Sequence, residues 1–461
     1  MLRHYSKEFW KLFFIAATIM LGLAYYQSTV VLYLLKQFHF AEKSTYEIYG
    51  VFAAAAYLCP FVTGWITKKW LQPSISITLG LFFYTLGTVL SALANPNIYL
   101  WALTFIALGY GLIYINIFFL IGKLYQLKDP HREGGFTLAY MALNIGAIIG
   151  YNAGGRMISS AYFQTVILIL ALFFLIITFT SIFLLRHYRL QRENQKNNWY
   201  VAFAFLTSLF LIIFMALTFA DLVQTTLSIT CFAMLFISFY IGFKEYRHDR
   251  EAGKKIILLG VLALFAVLFW TFYKIQDSFI LVFMQEHMLL KLGTITVSPP
   301  TILSVNPFVI LLIAPFVSLF WLKTRTKYNS PITKIAFGLL FMGMAFATLM
   351  LGVWFHFPTH LIWIVLFFAL IAIAEVILGP GIISMVGQLS NEKYHFILLG
   401  LMQLSMSAAG IFSAQVAVFF QNRLTNYHSL QLGYIHDYRD IAMLLIIVSL
   451  LIFAYKRFIT K

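Results

Sequence analysis

The sequence predicts an all-α membrane protein, and three observations carry that prediction. Of its 461 residues, 61% are Ala, Val, Ile, Leu, Met, Phe, Trp, Tyr or Cys and only 10% are Asp, Glu, Lys or Arg, where soluble domains run nearer about 45–50% and about 25%. The apolar residues gather in runs of the roughly 20 residues that a helix needs to cross a ~30 Å hydrocarbon layer. Strand-like alternation in segments of about ten residues, the mark of a membrane barrel, is absent. An ordinary water-soluble enzyme is excluded by this composition, and the relevant units are helical bundles in a bilayer.

Taken in order, the apolar runs are closed by charge or by Pro, Gly and Asn. The first, 10–35, is uncharged from Leu12 to Leu35; that is far longer than the roughly 7–15-residue apolar core of a cleavable signal, and a second run follows at once, so it is expected to stay as a helix. Runs two to six lie at 46–67, 75–95, 98–122, 135–155 and 162–185. Two more, 199–219 and 224–243, sit between the polar stretches 186–198 and 244–255. The last six are 256–285, 302–322, 332–355, 360–389, 395–421 and 440–456, which makes fourteen. Six spans before and six after an inserted pair is the arithmetic of a two-bundle transporter, with its site near the midplane. The expected division is an N-terminal bundle over 1–187, a linker with two extra helices over 188–255 and a C-terminal bundle over 256–461.

The charge fits that arrangement. With both termini placed in the cytoplasm, 25 of the 32 Lys and Arg residues fall on the cytoplasmic side, 6 on the other, and Lys274 lies inside a span, as the positive-inside rule requires. The net charge of +16 therefore sets topology and meets anionic headgroups. No basic stripe with interleaved aromatics suggests nucleic acid. Cys59 and Cys231 lie inside apolar runs and make neither a disulfide framework nor a metal-ligand spacing.

Three ionisable residues lie deep in apolar runs: Lys274 and Asp277 in the ninth span and Glu375 in the twelfth. On an insertion scale each costs about 2.5–3.5 kcal/mol at a helix centre, so each is expected to face protein or a watery cavity. Glu375 sits in IAIAEVILGPGIISM, one turn before Gly379-Pro380-Gly381, a sequence that fits a discontinuous helix lining a cavity. A carboxylate there can hold a substrate amine or carry a proton, or can serve as a structural hydrogen-bond acceptor. Trp270, Tyr273, Lys274 and Asp277 fall within an arc of about 100° on one helical face. Lys274 and Asp277, three residues apart, can neutralise each other, either as a private salt bridge or as a pair that a proton or ligand opens.

The eleven histidines sit in loops or near span ends. No HExxH, GxxxxGK, GxSxG or paired-cysteine pattern appears, so hydrolase, ATPase and metal-enzyme readings have no support, and neither a cofactor nor a metal is implied.

At this point the motifs resemble a family. YLCPFVTGWITKK (57–69) and DPHREGGFTLAYMALNIGA (129–147) resemble the second- and fifth-helix signatures of the proton-dependent oligopeptide transporters, within the major facilitator superfamily. FWTFYKIQDS (269–278), SVNPFVILLIAP (304–315), AEVILGPGIISMVGQLS (374–390) and GLMQLSMSAAG (400–410) resemble the seventh, eighth, tenth and eleventh core helices in order. The resemblance implies two six-helix bundles with two inserted helices. It implies that Glu375 receives the amino group of a peptide, that Asn144 and Asn306 hydrogen-bond it, and that Tyr57 lines the pocket with Tyr25 or Tyr26. Three departures stand out. The first helix has no charge where an ExxER motif is usual, Tyr114 stands where a lysine is expected, and Lys274 takes the seventh-helix acid position with Asp277 one turn later.

Losing the acids and the lysine together is electrostatically coherent, because either alone is an uncompensated buried charge. The expectation is a secondary transporter in a bacterial inner membrane, importing a peptide-like or amine-bearing small solute by alternating access. Its binding residues are Glu375, Lys274, Asn144, Asn306, Tyr57, Tyr114, Tyr25, Tyr26 and Trp270. Proton coupling, where it operates, falls to Glu375, Asp277 and Lys274. Two other readings are a carrier of a metal-chelating, siderophore-like metabolite and a non-transporting receptor on a transporter scaffold.

Overall fold

The computed structural model describes residues 5–125, 129–159, 163–186, 188, 198–323, 330–389 and 395–459. They form an all-α molecule with only two-residue strands, and the chain divides into two compact units, Met1–Val223 and Gln224–Lys461.

In the first unit, α1 (Lys7–Lys36), α2 (Glu42–Trp70), α3 (Pro73–Ser91), α4 (Pro96–Leu124), α5 (Pro130–Ser159) and α6 (Phe163–Leu184) follow one another. Their starts are set by local chemistry. Ser6 accepts a hydrogen bond from the Phe9 amide, and Asn95 caps α4 by accepting from the Asn97 and Ile98 amides, with Pro96 entering the first turn. Small residues let backbones meet: the Gly146 and Gly150 Cα atoms of α5 lie against the Ala17 and Leu21 carbonyls of α1, the close approach that holds helices together where no hydrophobic effect operates. Hydroxyl pairs such as Thr85 with Thr178 (3.0 Å) join α3 to α6. A seventh helix, α7 (Trp199–Thr218), lays Ala202, Leu206 and Phe210 onto Ile66 of α2 and Leu108 and Leu112 of α4.

The second unit takes up the chain within α8 (Ala220–Tyr246). The Gln224 side chain of α8 donates to the Ile411 carbonyl (3.5 Å), and Gln415 donates to the Ser228 hydroxyl (2.7 Å). Next come α9 (Arg250–Lys274), a 3₁₀ turn at Ile275–Asp277 and α10 (Phe279–His287), so this span is broken in its middle, with Ser278 at φ −131°, ψ −93°. A two-stranded hairpin, Lys291–Leu292 with Ile295–Thr296, turns at Gly293, whose φ of 62° favours glycine. Then follow α11 (Val305–Lys323), α12 (Pro331–Phe355), α13 (Leu361–Leu389), α14 (His395–Leu424) and α15 (Leu430–Ile459). Gly338 of α12 receives Leu378 of α13, and Ser449 of α15 donates to the Ala336 carbonyl of α12 at 2.7 Å.

Among the described residues, thirteen helical segments are long and apolar enough to cross a membrane, with the broken α9–α10 counted as one; α8 covers the remaining expected position, 224–243. Two expectations are corrected. The discontinuity anticipated at Gly379-Pro380-Gly381 is not there, since α13 runs through it, and the break falls instead at 275–278. The last span, expected from residue 440, begins at Leu430. Its polar start, LQLGYIHDYRD, depresses local hydropathy, but its charges pair with one another and with Arg423 of α14, and the helix accepts them.

Candidate functional site

The first unit carries no charge in the middle of its spans; Glu47, buried in the second turn of α2 with Lys43 Nζ at 3.9 Å, lies near a span end. Residues 12–35, 48–67, 70–122, 134–155 and 157–185 contain no Asp, Glu, Lys, Arg or His. The polar contacts within those stretches are correspondingly neutral. Tyr25 and Tyr26 are buried, with their hydroxyls on Met157 Sδ (2.6 Å) and Ser91 Oγ (3.0 Å). Gln27 donates to the Tyr57 hydroxyl at 3.1 Å, and the Asn144 amide donates to the Tyr140 carbonyl one turn back at 2.9 Å. Tyr57 and Tyr114 are half-buried. Tyr114 stacks on Tyr110 (5.3 Å, 28°) and leans on Phe118 (5.0 Å), so the face that carries Tyr114 is an aromatic column. Of the anticipated residues in this unit, Tyr57 and Tyr114 present surface, whereas Tyr25 and Tyr26 are held inside.

The second unit holds the charge. Lys274 Nζ lies 3.5 Å from Asp277 Oδ2, with both side chains almost wholly buried. The pair sits on the 3₁₀ break, where the helix gives up its regular bonding. The Trp270 and Tyr273 rings meet edge-on at 5.1 Å, and Lys274 Nζ lies 5.7 Å from the Tyr273 ring centre, so these four side chains do gather. Trp270 Nε1 and Asn306 Nδ2 are buried donors to which no acceptor is hydrogen-bonded among the described residues. Buried donors are nearly always satisfied, so both have capacity for a carbonyl or carboxylate oxygen. Glu375 is partly exposed midway along α13, between the buried Ala374 and Val376. One turn on, on the same face, no described atom lies within 4 Å of where a Gly379 Cβ would stand.

A further constellation escapes the sequence. Arg423, near the end of α14, faces Asp437 and Asp440 of α15 at 3.5 and 2.7 Å, and Arg439 lies 2.8 Å from Asp440. Arg423 and Arg439 count as loop residues when the last span is begun at residue 440. The HDYRD string (436–440), two acids and a base within one turn, is the signal that could have found them.

The model of the POT family matches residues 74–432. Dipeptide and tripeptide permease B of Aeromonas hydrophila is 24% identical over 428 residues, 90% of this chain and 85% of that protein. Among solved structures, a POT family transporter in complex with a thioalcohol-conjugated peptide aligns with a TM-score of 0.84 at 19% identity, covering 98% of this chain and 96% of that one. Another, in complex with 5-aminolevulinic acid, aligns with a TM-score of 0.84 at 19% identity over 99% and 97%. These likenesses establish the all-α major facilitator fold.

Proposed function

The chain belongs to the POT family, and from that premise we propose that it transports a peptide-like, amine-bearing small solute by alternating access, with Glu375 holding the amine. It is a multi-pass membrane transporter and not an enzyme. The named relative is a peptide permease, and the ligands of the two solved structures are a conjugated peptide and an amino acid-like amine. None of these speaks for a chelate carrier or a silent receptor.

The observation that carries the assignment of Glu375 is its partial exposure midway along a spanning helix, on the face where no described atom crowds Gly379. An anion in that position attracts an ammonium group, and the low local dielectric strengthens the bond. Trp270 Nε1 and Asn306 Nδ2 supply donors for the oxygen atoms of the same solute. In the first unit, Tyr57, Tyr114 and Asn144 offer rings and neutral dipoles. Lys274 is already engaged by Asp277, so a substrate carboxylate has to compete for it. Protonating Asp277 weakens its pair with Lys274, protonating Glu375 weakens its hold on a substrate ammonium group, and a difference in affinity between the two facing states then moves the equilibrium. From the distribution of Lys and Arg, both termini face the cytoplasm of a bacterial inner membrane.

The test is Glu375→Gln in proteoliposomes. Hydrogen bonds to charged groups are worth about 1.5–3 kcal/mol, so the apparent affinity for an unmodified dipeptide falls about ten- to a hundredfold. N-acetylated dipeptide, which lacks the ammonium group, is expected to compete poorly with the wild type and to be indifferent to the substitution. Unchanged affinity for the unmodified dipeptide would remove Glu375 from the site.

A further inference from the structure

Asp437 stands about two turns into α15 and is wholly buried, at 0% exposure. Among the described residues, neither of its carboxylate oxygens receives a hydrogen bond. Its ion contact is Arg423 Nη1 at 3.5 Å, and Arg423 is shared: its Nη2 donates to Asp440 at 2.7 Å and its Nε to the Tyr427 hydroxyl at 3.0 Å. Asp440 is also served by Arg439, whose Nε and Nη2 donate to Oδ1 at 3.0 and 2.8 Å. Of two carboxylates competing for one guanidinium, Asp440 holds the short bonds and Asp437 the long contact. A buried anion so weakly supported is rare and costly.

The surroundings connect this carboxylate to the broken helix. Tyr434 and Tyr438, on either side of Asp437 in α15, carry the rings of Phe279 (5.7 Å to Tyr434) and Phe283 (4.7 and 5.4 Å) of α10. α10 starts directly after the 275–278 break that bears Asp277. The other titratable groups nearby are accounted for among the described residues. His436 stacks on Tyr427 (5.1 Å, 7°). From α10, His287 lies 5.3 Å from the Tyr434 ring with Glu286 beside it at 3.7 Å. α12 brings Phe346, 6.4 Å from Tyr438; its only ionisable residue, Lys334, is in its first turn, and that of α13 is Glu375.

We propose that Asp437 is a further proton-binding carboxylate of the transport cycle, distinct from Glu375 and Asp277, and that the Arg423 clamp is its switch. The proposal rests on transport by alternating access and adds a site to it. With Asp437 ionised, Arg423, Arg439, Asp437 and Asp440 sum to zero charge and Arg423 straddles two acids. A proton taken from water onto an Asp437 oxygen ends the competition. Arg423 then closes on Asp440 alone, the contact between α14 and α15 is remade, and the tyrosine platform under α10 shifts with it. Release of the proton to water restores the shared clamp. The packing of the half-helix that follows the Lys274–Asp277 break thus depends on whether Asp437 carries a proton.

The experiment uses the full chain in proteoliposomes and reads the ratio of dipeptide uptake with an inward pH gradient to uptake without one. A ratio of at least about fivefold is expected of the wild type, clearly lower for Asp437→Asn, in which Glu375 and Asp277 still bind protons, and mostly recovered in Asp437→Glu, because a proton gradient acts only through groups that bind protons differently in the two states. A wild-type ratio of one, or an Asp437→Asn ratio equal to that of the wild type, overturns the proposal. A second measurement does not need transport. The pH-induced infrared difference spectrum of purified protein is expected to lose a protonated-carboxyl band in Asp437→Asn and to keep that band in Glu375→Gln. An unchanged spectrum in Asp437→Asn overturns the proposal even where that variant is inactive in both uptake arms. Failure here leaves the Glu375 assignment standing, because that one is read from affinity for the amine.

Discussion

At the scale of single residues, the two halves use different chemistry. The first relies on hydroxyls and amides bonded to one another and to helix carbonyls, and the second adds buried ion pairs. The Lys274–Asp277 pair illustrates what that costs. Removing one member of a buried pair strands the other charge, so Lys274→Met is expected to lower stability by about 3–5 kcal/mol, whereas Lys274→Met with Asp277→Leu is expected to regain most of the loss. Thermal unfolding of the two purified variants checks this; equal melting temperatures would mean that the pair is not what holds Asp277 in place. Glu375, Lys274 and Asp277 were legible in the sequence because each is a charge inside an uncharged run. Asp437 was not, because its neighbours His436, Arg439 and Asp440 make the whole stretch polar, and a window average cannot tell mutually paired charges from a loop.

At the scale of elements, packing follows small residues. Gly146 and Gly150 are one helical turn apart on α5 and meet consecutive turns of α1. A side chain at either position runs into main-chain carbonyls that cannot yield as a flexible side chain would. Gly150→Val is therefore expected to cost at least about 1–3 kcal/mol, the usual range for overpacking, seen as a lower yield of monodisperse protein. Gly293→Ala, in the exposed hairpin where no described atom lies within 4 Å of the new Cβ, is expected to cost about 1–2 kcal/mol through its positive φ alone, read as a lower melting temperature with no packing defect. The existence of the helices could be read from their uncharged runs, but continuity could not. FWTFYKIQDS (269–278) contains neither Pro nor Gly, yet the helix breaks there, at the buried ion pair. The Gly-Pro-Gly of α13, which looks like a breaker, is carried through. A span surrounded by other helices can have its irregularities set by partners distant in sequence, and no local pattern reports them.

At the scale of the molecule, the Lys and Arg distribution makes orientation testable. Thr294→Cys, exposed at the hairpin tip, is expected to react with a membrane-impermeant maleimide added to intact cells, and Arg247→Cys, between α8 and α9, only after permeabilisation. The opposite pattern would invert the topology. The uncharged interior of the first six helices also bears on how the chain is made. As they leave the ribosome, these segments can partition into lipid one at a time, since none carries a central charge to hold it in the translocon. The ninth and twelfth segments each bring charge that lipid disfavours. They are expected to linger at the insertion machinery until companion helices arrive, so the second half is where assembly defects should concentrate.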